Sequence, residues 1–195
     1  MERCIITMPE SSSVKTALRR QLLANRQGIA AEVRRHSDRL IGERLLAWLE
    51  WHPVDVLGVY WPIRSEPDLS EAYEVLAARG VKLALPVVVE NNASLRYNAW
   101  TPGEPMQKDA FGVAIPVSST AVAPQAILVP CVGFNRQGFR LGYGGGFYDR
   151  TLAAEARPLA IGIAYTMAMV SFAPDIHDIA LDVVMTESLQ LEAGD

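Results

Sequence analysis

The chain has 195 residues, 50% of them hydrophobic, and a formal net charge of −4. That length suits one compact domain of about 100–200 residues that needs no disulfide or metal staple to fold, and the acidic balance argues against a general nucleic-acid binder. Its 2 cysteines lack any CxxC or Cys/His ligand spacing, which gives no support to a zinc site. There is no apolar run of about 18 residues to span a membrane. Residues 1–9 are too weakly basic and apolar for a secretory signal, so the cytoplasm is the expected compartment.

Residues 1–12 read as a loose, disordered extension, and residues 13–190 as the domain proper; any of Ser11, Ser12 and Ser13 suits a helix cap. Val14, Leu18 and Leu22 recur every fourth residue and mark the apolar face of a first helix, with Lys15, Arg19, Arg20 and Arg26 off that stripe. A second helix over residues 30–50 carries Val33, Leu40, Ile41, Leu45 and Trp48, and stops at His52-Pro53 because proline cannot continue the hydrogen-bond ladder. Residues 54–61 are β-branched and aromatic and read as a strand. Residues 70–79 read as a helix capped by Ser70 and closed by Gly80. Residues 81–89 and 94–100 follow as strands, the latter half-exposed. Residues 126–134 are nearly all apolar, as in a strand buried on both faces, with Cys131 as a small buried hydrophobe. A helix over 147–156, a strand over 159–164 and a last strand over 181–185 complete the reading. Strands alternating with helices, some uniformly apolar, predict a single α/β domain with a mostly parallel sheet flanked by helices. Such sheets place ligands at the carboxyl ends of their strands.

Residues 140–150 (RLGYGGGFYDR) carry the most chemistry. Gly142, Gly144, Gly145 and Gly146 free the backbone for left-handed conformations, so that successive N–H groups can converge on one anion. A following helix start would add partial positive charge. Arg140 and Arg150 flank the run with cations suited to phosphate oxygens, and Asp149 is a carboxylate able to hold Mg²⁺ beside them. The segment is neither GxxxxGK[ST] nor GxGxxG, since Phe147 stands where the third glycine would fall. A nucleoside triphosphate is the expected ligand. No GxSxG elbow or Ser-His-Asp order points to hydrolase chemistry. His36 and His52 have no catalytic setting, and His177 reads as surface.

The longer run over residues 128–150 (LVPCVGFNRQGFRLGYGGGFYDR) resembles the signature of 5-formyltetrahydrofolate cyclo-ligases, and the resemblance extends from about Val14 to about Glu187. It implies a fold similar to the family's NagB/RpiA/CoA transferase-like three-layer arrangement. The implied activity is an ATP- and Mg²⁺-dependent closure of 5-formyltetrahydrofolate to 5,10-methenyltetrahydrofolate through a phosphorylated formyl group. Lys15-Thr16-Ala17-Leu18-Arg19 is similar to the family's amino-terminal KxxLR, whose cations reach ATP; Lys15 and Arg19 lie four apart on one helix side. By resemblance, Lys15, Arg19, Arg140, Gly142, Tyr143, Gly144, Gly145, Gly146, Phe147 and Tyr148 bind ATP, with Lys15 and Arg140 catalytic. Glu66 takes the place of the family's folate-binding glutamate. Trp61 either stacks on the flat ring or fills core. Asp149 and Asp182, the latter within an ending similar to HDxxLDxVVTE, are the implied Mg²⁺ ligands.

Three departures stand out: Ile115 before Pro116 where the family often has Glu, Asn135 for a usual Asp, and Gln125-Ala126 for a common Asp-Leu. They keep in view a divergent relative that binds folate or nucleotide without turnover. A phosphosugar isomerase or acyl-CoA transferase on a similar sheet is the remaining alternative, since fold does not fix function. No nucleic-acid or membrane partner is expected, and the chain is expected to be a monomer or weak homodimer.

Overall fold

Uniformly apolar strands need cover on both faces, and the topology supplies it. In the computed structural model, which describes residues 11–192, the elements run in chain order as follows. Helices α1 (Ser11–Gln27) and α2 (Ala31–Trp51) precede β1 (Val56–Gly58), α3 (Ser70–Ala78), β2 (Lys82–Val87) and β3 (Arg96–Trp100). Then come β4 (Met106–Lys108), β5 (Ala114–Pro116), β6 (Ala121–Val122), β7 (Ala126–Pro130), β8 (Gly133–Phe134) and β9 (Arg140–Leu141). Helix α4 (Phe147–Leu152), β10 (Leu159–Ile163), β11 (Val183–Met185) and β12 (Gln190–Glu192) complete it. The expected extension over residues 1–12 falls mostly outside the described residues, and positions 11 and 12 belong to α1.

The main sheet has 8 strands in the order β12-β11-β10-β7-β1-β2-β3-β6. The pairs β11·β10, β10·β7, β7·β1 and β1·β2 are all parallel, and β12, β3 and β6 add antiparallel borders. The fold is therefore the mostly parallel α/β sheet expected from the alternation. Side chains leave the sheet with period two. Leu57, Leu128, Ile161 and Ile163 pack against Ile41, Leu45 and Trp48 of α2 and Tyr73 of α3. Ile127, Val129, Ala160 and Val184 point to the other face, where Leu152 of α4 joins them.

Several boundaries differ from expectation for local reasons. The first strand pairs only to Gly58, after which the chain turns through left-handed Arg64 and Ser65. The apolar run 126–134 is two strands: Cys131 N–H still reaches Ile163 O, but Val132 N–H donates to Leu141 O, so β8 leaves the main sheet to pair with β9. Ser70 is the first helical residue of α3 rather than its cap: the N-cap position is Leu69, and Asp68 Oδ1 accepts from both the amide and hydroxyl of Ser70. Helix α4 covers only 6 residues. Residues 183–185 are not the last strand, because β12 folds back on them.

Helix α1 is rotated from its expected setting. Val14 is exposed, whereas Lys15, Leu22 and Arg26 are buried. Leu22 packs on Val132 and Leu141. The helix thus lies against chain leaving the carboxyl ends of the central strands, with a cationic rather than a purely apolar face turned inward.

Candidate functional site

The glycine-rich turn leaves β9 and enters α4. Gly144 and Gly146 have φ of +96° and +66°, left-handed values that side chains other than glycine adopt at a cost. Two arginines then pin the turn by its carbonyls. Arg19 Nε donates to Gly142 O at 2.8 Å, and Arg150 Nη2 donates to Gly145 O at 2.7 Å. In a trans peptide the next amide points opposite its carbonyl, so the N–H groups of Tyr143 and Gly146 are aimed away from these cations. With α4 only 6 residues long, loop amides and side-chain charge rather than a helix dipole supply the positive potential here.

Two further cations, Arg140 and Arg26, reach this turn or the helix after it, and Lys15 shares a helix face with Arg19 and Arg26. Arg140 is 7% exposed, pairs through Nη2 with Asp149 Oδ2 at 2.9 Å, and lies 5.7 Å from the Tyr148 ring centroid. Lys15 is 4% exposed, and its Nζ lies 2.7 Å from both Asp175 Oδ2 and Asp178 Oδ2. Burial opposes that ammonium, but the two carboxylates outweigh it and hold the pKa above its ordinary value. Arg26 crosses from α1 to Tyr143 Oη at 2.6 Å and to Arg64 O at 3.1 Å.

Glu66 lies on the far side of Tyr143. It is 3% exposed, accepts the Tyr143 hydroxyl at 2.7 Å through Oε1, and accepts Ile63 N–H at 2.9 Å through Oε2. Burial raises its pKa, and these hydrogen bonds together with the charges of Arg26 and Arg64 counter part of that rise. The Tyr143 ring has Arg64 at 5.1 Å and Arg26 at 6.0 Å from its centroid. A single relay, Arg26 to Tyr143 to Glu66, therefore ties α1, the glycine turn and the loop after β1 into one site. Trp61 is 39% exposed in this loop and meets the buried Trp100 edge-on, so part of its ring packs while part faces solvent.

The carboxylates divide. Asp149 Oδ1 accepts Ile179 N–H at 3.2 Å, which sets the neighbouring residue Asp178 close to the turn. Asp182 stands apart: Arg157 grips its two oxygens at 2.6 and 2.8 Å, and Ala160 N–H donates to Oδ2 at the amino end of β10. Among the described residues no three His, Cys, Asp or Glu side chains group as a metal cage. His177 is exposed. Cys131 is buried, which pushes its thiol up to about 12 and makes it inert packing, as its apolar surroundings predicted.

Arg19 reaches the glycine run and Arg140 the helix that follows it, while Lys15, one turn before Arg19 on α1, pairs with Asp175 and Asp178. Arg26, Asp175 and Asp178 are the additions. Lys15, Arg19, Leu22 and Arg26 repeat at intervals of four, three and four, which is one helix face, and that spacing was the available signal. Of the three departures from the family pattern, two have structural roles. Asn135 Oδ1 accepts Gln137 and Phe139 N–H while its Nδ2 donates to Phe172 O, a donation an aspartate could not make. Gln125 Oε1 accepts the amides of Asp55 and Val56. Ile115 sits in the β4·β5 hairpin opposite Gln107.

Residues 11–187 match the 5-formyltetrahydrofolate cyclo-ligase family. Curated relatives named 5-formyltetrahydrofolate cyclo-ligase include one from Mycoplasma pneumoniae, 30% identical over 89% of this chain and 98% of its own length. Another, from Mycolicibacterium smegmatis, is 31% identical over 88% of this chain and 93% of its own. Among solved structures, the 5,10-methenyltetrahydrofolate synthetase of Aquifex aeolicus superposes with a TM-score of 0.81 at 29% identity, covering 93% of this chain and 94% of that one. The Mycoplasma pneumoniae synthetase superposes with a TM-score of 0.76 at 26% identity, covering 89% and 99%. No helix among the described residues is long and apolar enough to cross a membrane.

Proposed function

From the premise that this chain belongs to the 5-formyltetrahydrofolate cyclo-ligase family, a family of ligases, we propose that it closes 5-formyltetrahydrofolate to 5,10-methenyltetrahydrofolate at the expense of ATP. The observation that carries this reading is the Tyr143–Glu66 hydrogen bond. It joins a turn suited to a polyphosphate to a buried carboxylate suited to the adjacent N–H donors of a pterin.

In this reading the amides of residues 142–146, with Lys15, Arg19 and Arg140, hold the phosphates, and Tyr143, Phe147 and Tyr148 wall the nucleotide. Glu66 orients the folate ring and Trp61 offers it an exposed flat surface. The formyl oxygen attacks the γ-phosphorus and ADP leaves. N10 then adds to the activated formyl carbon and gives up its proton to solvent, and phosphate departs with the former formyl oxygen. An amide oxygen is a poor leaving group until phosphorylated, which is why ATP is consumed. Such transfer needs alignment and charge neutralisation rather than a protein nucleophile. The cations stand ready but paired: phosphate oxygens replace Asp175 and Asp178 on Lys15, and Asp149 on Arg140.

Magnesium fits this site as an ion entering with the nucleotide. It takes one or two carboxylates and fills its remaining positions with phosphate and water oxygens. Asp149 and Asp178 suit that role, because phosphate binding frees both from their cations; Asp182, held by Arg157, does not. Bound there, the ion neutralises phosphate oxygens. The substrates and reaction suit the cytoplasm, with no nucleic-acid or membrane partner, and the site is complete within one chain, which suits a monomer or a weak homodimer.

The test is direct. The protein is incubated with MgATP and 5-formyltetrahydrofolate, and the near-ultraviolet absorbance of the methenyl product is followed beside an ATP-free cuvette. Turnover requiring both ATP and Mg²⁺ is expected. Folded protein silent at every pH would sink the proposal.

A further inference from the structure

Tyr97 carries an unexplained group. Its side chain reaches from β3 across β2 and over Gly58, where a Cβ would come within 2.7 Å of the ring. Strand β1 carries a glycine under the ring, and glycine in a strand interior weakens it unless something must approach closely. The residue is 4% exposed, and its hydroxyl has no hydrogen-bond partner among the described residues. Burying a hydroxyl unpaired is costly, so a ring placed this way with its oxygen idle calls for a ligand group.

A second idle donor lies in the same region. Arg140 is also enclosed, at 7% exposed, and while its Nη2 pairs with Asp149, its Nη1 is buried without a partner among the described residues. The Arg140 charge is felt at the Tyr97 hydroxyl, where it works against the rise in pKa that burial imposes. Tyr97, Cys131 and Phe134 belong to one packed cluster, and Tyr148, whose ring centroid lies 5.7 Å from the Arg140 guanidinium, packs against it. Two enclosed donors, one of them cationic, call for an acceptor oxygen, and the guanidinium favours an anionic one.

We propose that Tyr97 is a nucleotide-binding residue whose hydroxyl, with Arg140 Nη1, donates to a phosphoryl oxygen of the bound triphosphate. This rests on the reading of residues 142–146 as the phosphate cradle and adds to it a wall from β3, which the glycine-rich motif does not contain.

Tyr97→Phe removes the oxygen and keeps the ring. Two readouts are compared with wild type: the melting shift produced by a non-hydrolysable ATP analogue with magnesium, and the kinetic constants for each substrate. The unliganded Tm should stay level or rise, because an unpaired buried group is lost. The analogue's shift should shrink. kcat/KM for ATP should fall about ten- to a hundredfold, as for one hydrogen bond to a charged group, with the KM for 5-formyltetrahydrofolate unchanged. An intact shift with a loss confined to the folate KM would move the hydroxyl to the other substrate and overturn the assignment. No change in either readout would leave only a buried water, and would overturn it as well. Wild-type protein that binds the analogue but fails to turn over would defeat the ligase reading, while the shift comparison would still decide the role of Tyr97.

Discussion

Tyr143 donates a 2.7 Å hydrogen bond to Glu66, a residue 77 positions earlier, while accepting one from Arg26 at 2.6 Å. The hydroxyl is therefore both the support of a buried carboxylate and the link between the two halves of the site. Tyr143→Phe leaves Glu66 Oε1 and Arg26 Nη2 each short of a partner. It should lower stability by about 1–3 kcal/mol, read from the denaturant midpoint at constant slope, and raise the KM for the folate. A variant as stable and as active as wild type would disprove the link.

The protonation of Glu66 gives a pH test. Burial first, offset by its hydrogen bonds, raises the carboxyl above its ordinary 4.5. Between 4.5 and that raised value the folded chain binds more protons than the unfolded one, so stability grows as pH falls through this window. Wild type should therefore gain stability relative to Glu66→Gln between neutral pH and pH 4.5. A gain in the opposite direction, measured by urea unfolding at several pH values, would refute the assignment.

Lys15 has the complementary behaviour. Burial weighs against its charge, but Asp175 and Asp178 lift its pKa above 10.5. Its contribution to stability is then complete below pH 10.5 and lost as pH rises through the folded value. Lys15→Met should show less alkaline destabilisation than wild type. Both Lys15→Ala and Arg140→Ala should weaken ATP far more than folate, by about 2–4 kcal/mol for a desolvated charge pair. Equal losses for the two substrates would contradict the assignment of sides.

The carboxylates can be separated by their magnesium requirement. Asp149→Asn and Asp178→Asn should each raise the magnesium concentration needed for half-maximal turnover. Asp182→Asn should leave it unchanged and cost about 1 kcal/mol or less of stability, because its Arg157 partner is partly exposed. A magnesium requirement that moved only with Asp182 would reverse the division.

The backbone repeats of period two and 3.6 made the central strands and the first three helices legible, because burial on a sheet or against one demands those patterns locally. The glycine turn was legible too, since conformational freedom and flanking charge are properties of adjacent residues. The inward face of α1 was not. Lys15, Arg19 and Arg26 look like solvated charge on a hydrophobicity count; Lys15 and Arg26 are buried and Arg19 half-buried only because Gly142, Tyr143, Asp175 and Asp178 arrive from more than 110 residues away to receive them. The short pairings β8·β9 and β11·β12 were hidden for the same reason, as two or three residues carry no readable period. The chain's own text therefore determined its fold class and its glycine-rich motif, which depend on near neighbours. Which charges face inward, and which carboxylate answers each of them, was decided by packing between distant segments, because an ion pair's geometry exists only once the chain has closed on itself.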